Sequence, residues 1–309
     1  MSIRCTMFVL TYNQEQFVGD AIRATLAQEG PTIEIIISDD FSSDNTYAVA
    51  KKCVAQYRGK HEVVLNRNST NMGVIGHTNH VVEMARGDIL IPAYGDDIAF
   101  PYRALRIAET FEKHDPLLIH SHAVPIDSDG RETESSYANG GFFRSTEPLW
   151  VATSLFHYLG ASGAWRRTLF ERYGPINSPL VYDDHILGFR AALEGRVHLI
   201  DAPLLYYREG VGISHMAGTS KDRAVRRTLR QKILQQSLAV FEARLIDARQ
   251  FGLPDRDPII RMLRDAAQKT KLRLAYYCGC KDISTQLARQ PLRVVRALSA
   301  EALRDLGKR

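Results

Sequence analysis

The sequence predicts an α/β protein with a doubly wound, mainly parallel sheet and flanking helices, followed by a C-terminal helical region. Over residues 1–115, short apolar runs of β type alternate with helical patterns, which is typical of parallel strands joined by helical crossovers. The run at 33–37, "IEIII", is rich in Ile, as expected of a strand buried on both faces. Beyond residue 216 only helical periodicity is found.

Composition indicates a globular protein, since 45% apolar and 24% charged residues are close to the averages of folded domains. The start, "MSIRCTMFVLTYNQ", lacks the apolar core of a signal peptide, and no stretch is long and apolar enough to span a bilayer. We therefore expect a cytoplasmic protein. The cysteines are too few and too poorly spaced for a disulfide framework or a zinc site, so reduced thiols are expected. They are Cys5, Cys53, Cys278 and Cys280.

The elements of residues 1–115 follow from periodicity and from the residues that punctuate it. A first strand at 4–10 precedes a helical pattern that Gly30 ends, and Asn13 is predicted to cap this helix. The Ile-rich second strand precedes a helix at 47–57. The remaining elements of this half are a strand at 63–65, a helix ending at Met84, a strand at 88–93 and a helix at 103–114.

The rest of the chain is less regular. Residues 117–212 contain short apolar runs with Gly and aromatic residues, and we interpret them as an irregular extension that lines a cleft. Within them, "YDDHILGFRAALEG" predicts a helix that begins at Asp183 and Asp184. Further helices are predicted at 228–251 and 258–277, with a short basic amphipathic helix at the C-terminal end.

Charge is distributed unevenly along the chain. Residues 216–309 carry 21 Lys plus Arg and 9 Asp plus Glu, whereas residues 1–215 carry 19 and 26. A basic helical region after an acidic body points either to an anionic partner, such as a membrane surface, or to an Arg-rich solvated face.

Acidic and polar residues follow three of the predicted strands. Residues 11–13 follow the first, Asp39 and Asp40 the second, and Asp96 and Asp97 the fourth. Because the carboxyl ends of parallel strands meet at one edge, these residues are expected to lie together. Two adjacent carboxylates repel each other unless a cation or hydrogen-bond donors neutralise them.

Each acidic pair has two interpretations when it is taken alone. Asp96 and Asp97 can bind Mg2+ or Mn2+ that is also held by a diphosphate, because such a metal needs few protein carboxylates. Alternatively, one of the two caps the turn that follows. An acidic residue such as Asp40 can accept a hydrogen bond from a base or ribose. Asp183 and Asp184 either cap their own helix or present a general base.

Taken in order, five motifs resemble the family 2 glycosyltransferases, an inverting group with the GT-A fold. They are "TYNQEQFVGDAI", "IEIIISDDFSSDNT", "NMGVIGHTN", "ARGDILIPAYGDDIAFP" and "YDDHILGFRAALEG". The resemblance covers residues 4–215 and implies a GT-A catalytic domain over 1–215. Residues 1–115 would be its nucleotide-binding half and 116–215 its acceptor-side half, and 216–309 would form the basic helical region.

The resemblance also implies a reaction. A sugar would move from a nucleoside-diphosphate donor (UDP, dTDP or GDP) to an acceptor hydroxyl of a growing glycan, with Mn2+ or Mg2+ as cofactor. The acceptor would be a saccharide or a lipid-linked glycan, and no nucleic acid partner is expected. In a single displacement, Asp184 would take the acceptor proton while the metal offsets charge on the leaving diphosphate, so an α-linked donor would give a β-linked product.

Site residues are carried over from the family at matching positions. Asp184 matches the general base, Asp40 with neighbouring Asp39 the contact to nucleobase and ribose, and Asp97 with Asp96 the metal-binding end of the D-x-D motif. His215 would be a further metal ligand, with Ser214 beside it. Donor contacts are implied for Thr11, Tyr12, Asn13, Asp39, Asp40, Asn71, Gly73, Asn79, Asp96, Arg190 and Arg208.

The sequence departs from the family pattern at three places. Tyr94 stands where the first D-x-D aspartate is usual, Asp183 stands where Glu is usual, and Glu209-Gly210 stand where a His is common. The site therefore offers a metal fewer carboxylates. This motivates an alternative, a catalytically silent GT-A module that binds nucleotide or glycan. A nucleotidyltransferase is disfavoured because "TYNQEQ" lacks a Gly-rich basic phosphate loop.

For the C-terminal helices we expect peripheral attachment to the inner face of the membrane, where lipid-linked acceptors reside. In the last helix, the basic residues would face anionic lipid and the apolar residues would enter it. The basic set is Arg293, Arg296 and Arg304, and the apolar set is Leu292, Val294, Val295 and Leu298. The alternatives are packing on the catalytic domain or a homodimer interface.

Overall fold

The computed structural model describes residues 4–134, 145–211, 222–278 and 291–305. The chain divides into two compact units, Met1–His215 and Met216–Arg309. Within the described residues the first unit is a mixed α/β structure and the second is helical.

The described part of the first unit contains one sheet of eight strands. The strands are β1 (Cys5–Thr11), β2 (Glu34–Asp39), β3 (Glu62–Arg67), β4 (Ile89–Tyr94), β5 (Ile98–Ala99), β6 (Leu118–Ile126), β7 (Ala164–Arg166) and β8 (Val197–Arg208). Their spatial order is β3-β2-β1-β4-β7-β6-β8-β5. The pairs β3-β2, β2-β1, β1-β4 and β6-β8 are parallel, and β4-β7, β7-β6 and β8-β5 are antiparallel.

Helices flank this sheet and connect its strands. They are α1 (Val18–Leu26), α2 (Thr46–Gln56), α3 (Gly73–Met84), α4 (Arg103–His114), α5 (Pro148–Thr153), α6 (Thr168–Tyr173) and α7 (Asp183–Leu193). The elements predicted for residues 1–115 are confirmed, and α4 has the predicted bounds. Strands β1 and β2 are buried at every residue, because helices cover both faces of a parallel sheet.

In its described residues, the segment predicted as irregular contains three strands, three α-helices and a short 3-10 helix at Gly160–Ser162. Strand β6, "LIHSHAVPI", includes two His and a Pro, and its register with β8 shifts near His122. Strand β8 is interrupted by the exposed Asp201. Such strands lack both a continuous apolar run and a clean alternation, so periodicity does not reveal them. The two-residue β5 is likewise too short for a sequence pattern, yet it pairs with the end of β8.

The second unit consists of helices in its described part: α8 (Arg223–Gln250), α9 (Pro258–Cys278) and α10 (Pro291–Asp305). The Asp222 carboxylate caps α8 by accepting from the main-chain N–H of Ala224 at 2.7 Å, so this helix begins before the predicted residue 228. No helix in the described ranges combines the length and apolar character that crossing a bilayer requires.

Helix α10 corrects the predicted lipid-facing side. Val294 is fully buried and packs with Leu298 against Leu272 of α9, whereas Leu292 and Val295 are 75% and 56% exposed. The helical period places these pairs on different faces, so the four residues do not form one apolar side.

The inner face of α10 also carries acidic residues that pair with arginines. Glu301 is fully buried and accepts from Nε and Nη2 of Arg230 at 2.9 and 2.7 Å. Arg304, predicted to face lipid, lies 3.1 Å from the Glu301 carboxylate. Asp305 is contacted by Arg223 at 2.6 Å. These ion pairs give α10 a packing role within the second unit.

Candidate active site

The carboxyl ends of β1, β2 and β4 lie at one edge of the sheet, as expected from their parallel pairing. The N–H of Asp40 donates to the carbonyl of Thr11 at 2.9 Å, and the N–H of Gly95 donates to that of Leu10 at 3.0 Å. The hydroxyl of Thr11 contacts Asp39 Oδ1 at 3.4 Å. The acidic residues that follow β2 and β4 are thus connected through the end of β1.

Asp39 is fully buried at the end of β2 and stabilises the turn that follows. Its carboxylate accepts from the N–H and the hydroxyl of Ser42 at 3.0 and 2.5 Å. Arg67 Nε lies 3.4 Å away and balances the charge. Asp39 therefore holds the loop in place, and the neighbouring Asp40 lies one residue further along the edge.

Asp40 is also buried and joins β2 to the start of α3. Oδ1 accepts from Asn68 Nδ2 at 2.7 Å and from the N–H of Met72 at 2.9 Å, and Oδ2 accepts from the N–H of Gly73 at 2.9 Å. Gly73 has φ +71°, which favours glycine, and its N–H also reaches Asn71 Oδ1 at 3.0 Å. A carboxylate has about four acceptor positions, so Asp40 keeps capacity for a ligand donor.

Two exposed aromatic rings border this acidic edge. Tyr12 is 40% exposed, and Phe41 is 50% exposed with φ +63°, a backbone conformation that is strained for a bulky residue. The Arg67 guanidinium lies 5.6 Å from the centre of the Phe41 ring. Asn13 has φ +51° and accepts from the N–H of Ser43 at 2.9 Å. It braces this loop and does not cap α1, which corrects the predicted capping role.

Asp96 and Asp97 lie in the turn between β4 and β5 and are both buried. Asp97 Oδ1 accepts from the main-chain N–H of Arg208 at 2.9 Å, and the Asp96 carbonyl accepts from Arg208 Nε at 3.0 Å. Burial raises the pKa of Asp97 well above its usual value, and the charge of Asp96 adds to the increase. Burial also raises the pKa of Asp96, although a hydrogen bond from Gln14 opposes it. The pair therefore favours a bound cation or a proton.

Arg103 is a buried cation near this pair that the sequence reasoning missed. It is 1% exposed, and Nη2 donates to the carbonyls of Ala161 at 2.7 Å and Gly163 at 3.3 Å. Burial lowers the pKa of Arg103 to about 10, while the charge of Asp97 opposes this. A cation in the first turn of a helix interacts unfavourably with the helix dipole. The position of Arg103 at the start of the predicted helix 103–114 was therefore the sequence signal that could have marked it.

Arg208, predicted from the resemblance to contact the donor, points inward and braces the turn of the acidic pair. Besides Asp96, its guanidinium donates through Nη1 to the carbonyls of Asp127 at 2.8 Å and Ser128 at 3.0 Å. It also lies 4.8 Å from the centre of the Phe17 ring and is 4% exposed. These contacts hold the turn of the acidic pair against the end of β8.

Arg190 and Asn79 were expected to contact the donor, and the structure engages both with the loop before α7. Arg190 is 3% exposed, and its Nη1 donates to the carbonyl of Gly174 at 2.8 Å. Asn79 Nδ2 donates to the carbonyl of Ile176 at 2.9 Å, and Asn79 Oδ1 accepts from the N–H of Ile176 at 3.1 Å. These contacts stabilise the loop before α7, and the donor contacts expected from the resemblance stay predictions.

Asp183 and Asp184 begin α7 but have different surroundings. Asp183 is 3% exposed, and its Oδ2 accepts from the hydroxyl of Tyr94 at 2.9 Å. Its Oδ1 accepts from the N–H of Asp184 at 2.9 Å. Burial and the charge of Asp184 raise the pKa of Asp183 to about 6. The Asp184 side chain is 20% exposed, so it is the carboxylate of this pair that an incoming molecule can reach.

The residues at this edge suit a divalent cation that is shared with a phosphate ligand. The described residues contain no group of three or more His, Cys, Asp or Glu that could hold a metal by themselves. Asp96 and Asp97 nevertheless provide two buried carboxylates that can act as metal ligands, and Mg2+ or Mn2+ commonly binds few carboxylates plus phosphate oxygens. The predicted ligand His215 and its neighbour Ser214 lie outside the described residues.

The sheet and its acidic edge define a GT-A glycosyltransferase. The sequence profile of glycosyl transferase family 2 matches residues 6–174, more than half of the chain, so the protein belongs to this family. It is 25% identical over 223 residues to an uncharacterized glycosyltransferase of Nostoc sp., covering 71% of this chain and 68% of the relative. It is 33% identical over 103 residues to the putative glycosyltransferase EpsE of Bacillus subtilis, covering 33% of this chain and 36% of EpsE.

A third relative is the succinoglycan biosynthesis protein ExoO of Rhizobium meliloti, 26% identical over 183 residues, with 58% of this chain and 51% of ExoO covered. Among solved structures, S. aureus TarS 1–349 in complex with UDP-GlcNAc has a TM-score of 0.59 at 16% identity, covering 99% of this chain and 92% of that 1–349 chain. The mannosyltransferase PcManGT of Pyrobaculum calidifontis, in complex with GDP-Man and Mn2+, has a TM-score of 0.59 at 17% identity, covering 99% and 88%. At these identities the likeness establishes the fold.

Proposed function

We propose that this protein is an inverting glycosyltransferase that moves a sugar from a nucleoside diphosphate to a hydroxyl of a growing glycan. The observation that carries the proposal is the connection at the end of β4. Asp96 and Asp97 directly follow this strand, and Tyr94 at its end bonds Asp183, the neighbour of Asp184. A buried acidic pair and an accessible carboxylate are thereby held at the same strand end.

Asp97 and Asp96 would hold Mn2+ or Mg2+ on the donor diphosphate. The metal supplies Lewis-acid stabilisation of the charge that develops on the departing diphosphate. Two observations support this assignment. The pKa of both carboxyls is raised by burial, which marks a like-charged pair that a cation would stabilise. PcManGT, which shares the fold, was solved with Mn2+.

Asp184 would be the general base. In a single displacement, its carboxylate takes the proton of the acceptor hydroxyl as that oxygen bonds to the anomeric carbon. The bond between this carbon and the diphosphate oxygen breaks at the same time, and the electron pair leaves with the nucleoside diphosphate. Attack opposite the leaving group inverts the anomeric centre. The partial exposure of Asp184 supports this role, because a base must reach the proton that it removes.

The nucleotide would lie over the ends of β1 and β2. Thr11 and Asp39 shape this edge, Asp40 retains an acceptor position, and Tyr12 presents an exposed ring beside it. The nucleotide of the donor is UDP, dTDP or GDP in this proposal. TarS 1–349 and PcManGT were solved with UDP-GlcNAc and GDP-Man. The name of ExoO, a succinoglycan biosynthesis protein, supports an acceptor that belongs to a growing polysaccharide, and we propose a saccharide or a lipid-linked glycan.

The experiment measures release of nucleoside diphosphate from UDP-glucose, UDP-GlcNAc, dTDP-rhamnose and GDP-mannose, with Mn2+ and a panel of glycan acceptors. We expect acceptor-dependent turnover of one donor, and D184N is expected to reduce kcat by at least about 100-fold. The control D201N changes a side chain that is 93% exposed and should leave turnover intact. Turnover by D184N at the wild-type rate would remove the base assignment. Binding of a donor without turnover would favour the catalytically silent module.

We further propose that the second unit attaches the protein to the cytoplasmic face of a membrane. The support is the basic charge of residues 216–309 and the exposure of Leu292 and Val295 beside the exposed Arg296 on α10. Flotation with vesicles that contain anionic lipid should be lost in L292E/V295E and retained in I246E, which alters an exposed residue of α8. Equal flotation of both variants would exclude this face of α10 as the membrane-binding surface. A concentration-dependent dimer that L292E/V295E abolishes would favour a homodimer interface.

A further inference from the structure

Tyr94 and Asp183 form a hydrogen-bonded link between β4 and α7. The Tyr94 hydroxyl donates to Asp183 Oδ2 at 2.9 Å, and Asp183 Oδ1 accepts from the N–H of Asp184 at 2.9 Å. Each carboxylate oxygen of Asp183 therefore bonds a different element: one bonds the strand end and the other the first turn of the helix. A contact from Tyr94 is in this way transmitted to the main chain of Asp184.

The ring of Tyr94 is itself fixed by packing. It lies against the buried cluster of Ala123 from β6, Leu205 from β8 and Ala161. Asp183 is 3% exposed and Tyr94 is half-buried, so the carboxylate end of the hydrogen bond is shielded from solvent. A bond between two constrained groups positions the helix start more strongly than a surface contact would.

These residues occupy two of the positions at which the sequence departs from the family pattern. A carboxylate at position 94 would bring a further negative charge towards Asp183, and such a pair repels. A phenol at that position donates a hydrogen bond instead and adds no charge. The two departures are thus chemically complementary, since the hydroxyl at one position bonds the carboxylate at the other.

We infer that Tyr94 and Asp183 act as one positioning unit that orients the Asp184 carboxylate relative to the acidic pair at 96–97. The inference rests on the proposed function, in which Asp184 is the general base. Tyr94 acts through Asp183, so its effect belongs to the chemical step more than to donor binding. A misplaced base lowers the rate even when the substrate is bound.

The test compares Y94F with Y173F in the full chain. Tyr173 is a buried tyrosine whose hydroxyl donates to Glu194 Oε1 at 2.8 Å, just beyond the other end of α7, so it matches the bond that is removed. Y94F is expected to lower kcat by about tenfold with donor KM unchanged, and Y173F to leave both unchanged. The double variant Y94F/D183N is expected to be no slower than D183N alone, because both changes break the same link.

A second readout does not need a donor. Amide hydrogen exchange over the first turn of α7 should accelerate in Y94F and stay at the wild-type rate in Y173F. Only Y94F removes the hydrogen bond that holds the Asp183 carboxylate, which accepts from the Asp184 N–H. Wild-type kcat in Y94F, or wild-type exchange in this turn, would overturn the inference. If the wild-type protein turns over no donor, the proposed function fails, and the exchange experiment alone decides whether Tyr94 positions the helix start.

Discussion

The main-chain N–H of Arg208 donates to Asp97 Oδ1 at 2.9 Å, which ties the end of β8 to the acidic turn after β4. The antiparallel pairing of β5 with β8 makes this contact possible, because Ile98 faces Tyr206 and the pairing leads directly to Arg208. The second half of the domain therefore sets the geometry of the acidic pair. The loops after β1 and β2 do not do this alone.

Replacing Arg103 tests the electrostatic balance of this turn. R103M removes the buried cation near Asp97 and the donors to Ala161 and Gly163, so the free energy of unfolding should fall by about 3–5 kcal/mol. R106M is the matched control, because Arg106 lies on the same helix, has a side chain that is 55% exposed and pairs with the exposed Glu109 at 3.5 Å. Its cost should stay below about 0.5 kcal/mol. Urea denaturation measures both free energies of unfolding, and equal stability of the two variants would show that Arg103 does not balance the acidic turn.

Asp183 should make stability depend on pH. Its pKa rises from the usual 3.8 to about 6 on folding, so between these values the folded state holds a proton that the unfolded state has released. The free energy of unfolding should therefore fall as the pH rises from 4 to 6.5, by up to about 3 kcal/mol.

The variant D183N isolates this contribution from those of the other carboxyls. The difference in unfolding free energy between wild type and D183N, measured by denaturation at several pH values, should decline with rising pH and level off above about 6.5. A difference that is constant across this range would show that Asp183 is ionised in the folded protein at all of these pH values.

Phe41 tests whether its left-handed backbone is strained. Both F41G and F41A remove the ring and its contact with Arg67, but only glycine adopts φ +63° without a penalty, so F41G should be the more stable by about 1 kcal/mol. Phe156 is also exposed and is not among the described residues with positive φ, so F156G should not exceed F156A in stability. Thermal unfolding compares the four variants. A more stable F41A would contradict the strain.

The sequence predicted the parallel half of the fold well, because its strands are continuous apolar runs and its helices are amphipathic. It also placed Asp40 and Asp97 at one edge, since parallel pairing alone brings these strand ends together. Strands β6 and β8 escaped prediction because His, Pro and Asp interrupt them. Their register is set by tertiary packing that periodicity does not encode.

The sequence also did not predict the direction in which long side chains point. Arg190 and Arg208 were predicted as ligand contacts from the family resemblance, whereas both guanidinium groups donate to main-chain carbonyls of other loops. The bond from Tyr94 to Asp183 spans 89 positions and has no local signature. Residue spacing predicts which elements meet, but not which way a buried Arg points once they do.

We propose that the acidic pair binds a divalent metal together with the donor diphosphate, and a thermal shift measures this binding directly. The panel is UDP, dTDP and GDP, each with and without Mn2+, on wild type, D97A and the control D201N. We expect one nucleotide to raise the Tm of wild type and D201N by about 5 °C or more only with Mn2+, since ligand binding stabilises the native state. D97A should show no Mn2+-dependent increase. The same Mn2+-dependent increase in D97A, or none in wild type, would show that Asp97 does not hold the metal with the nucleotide.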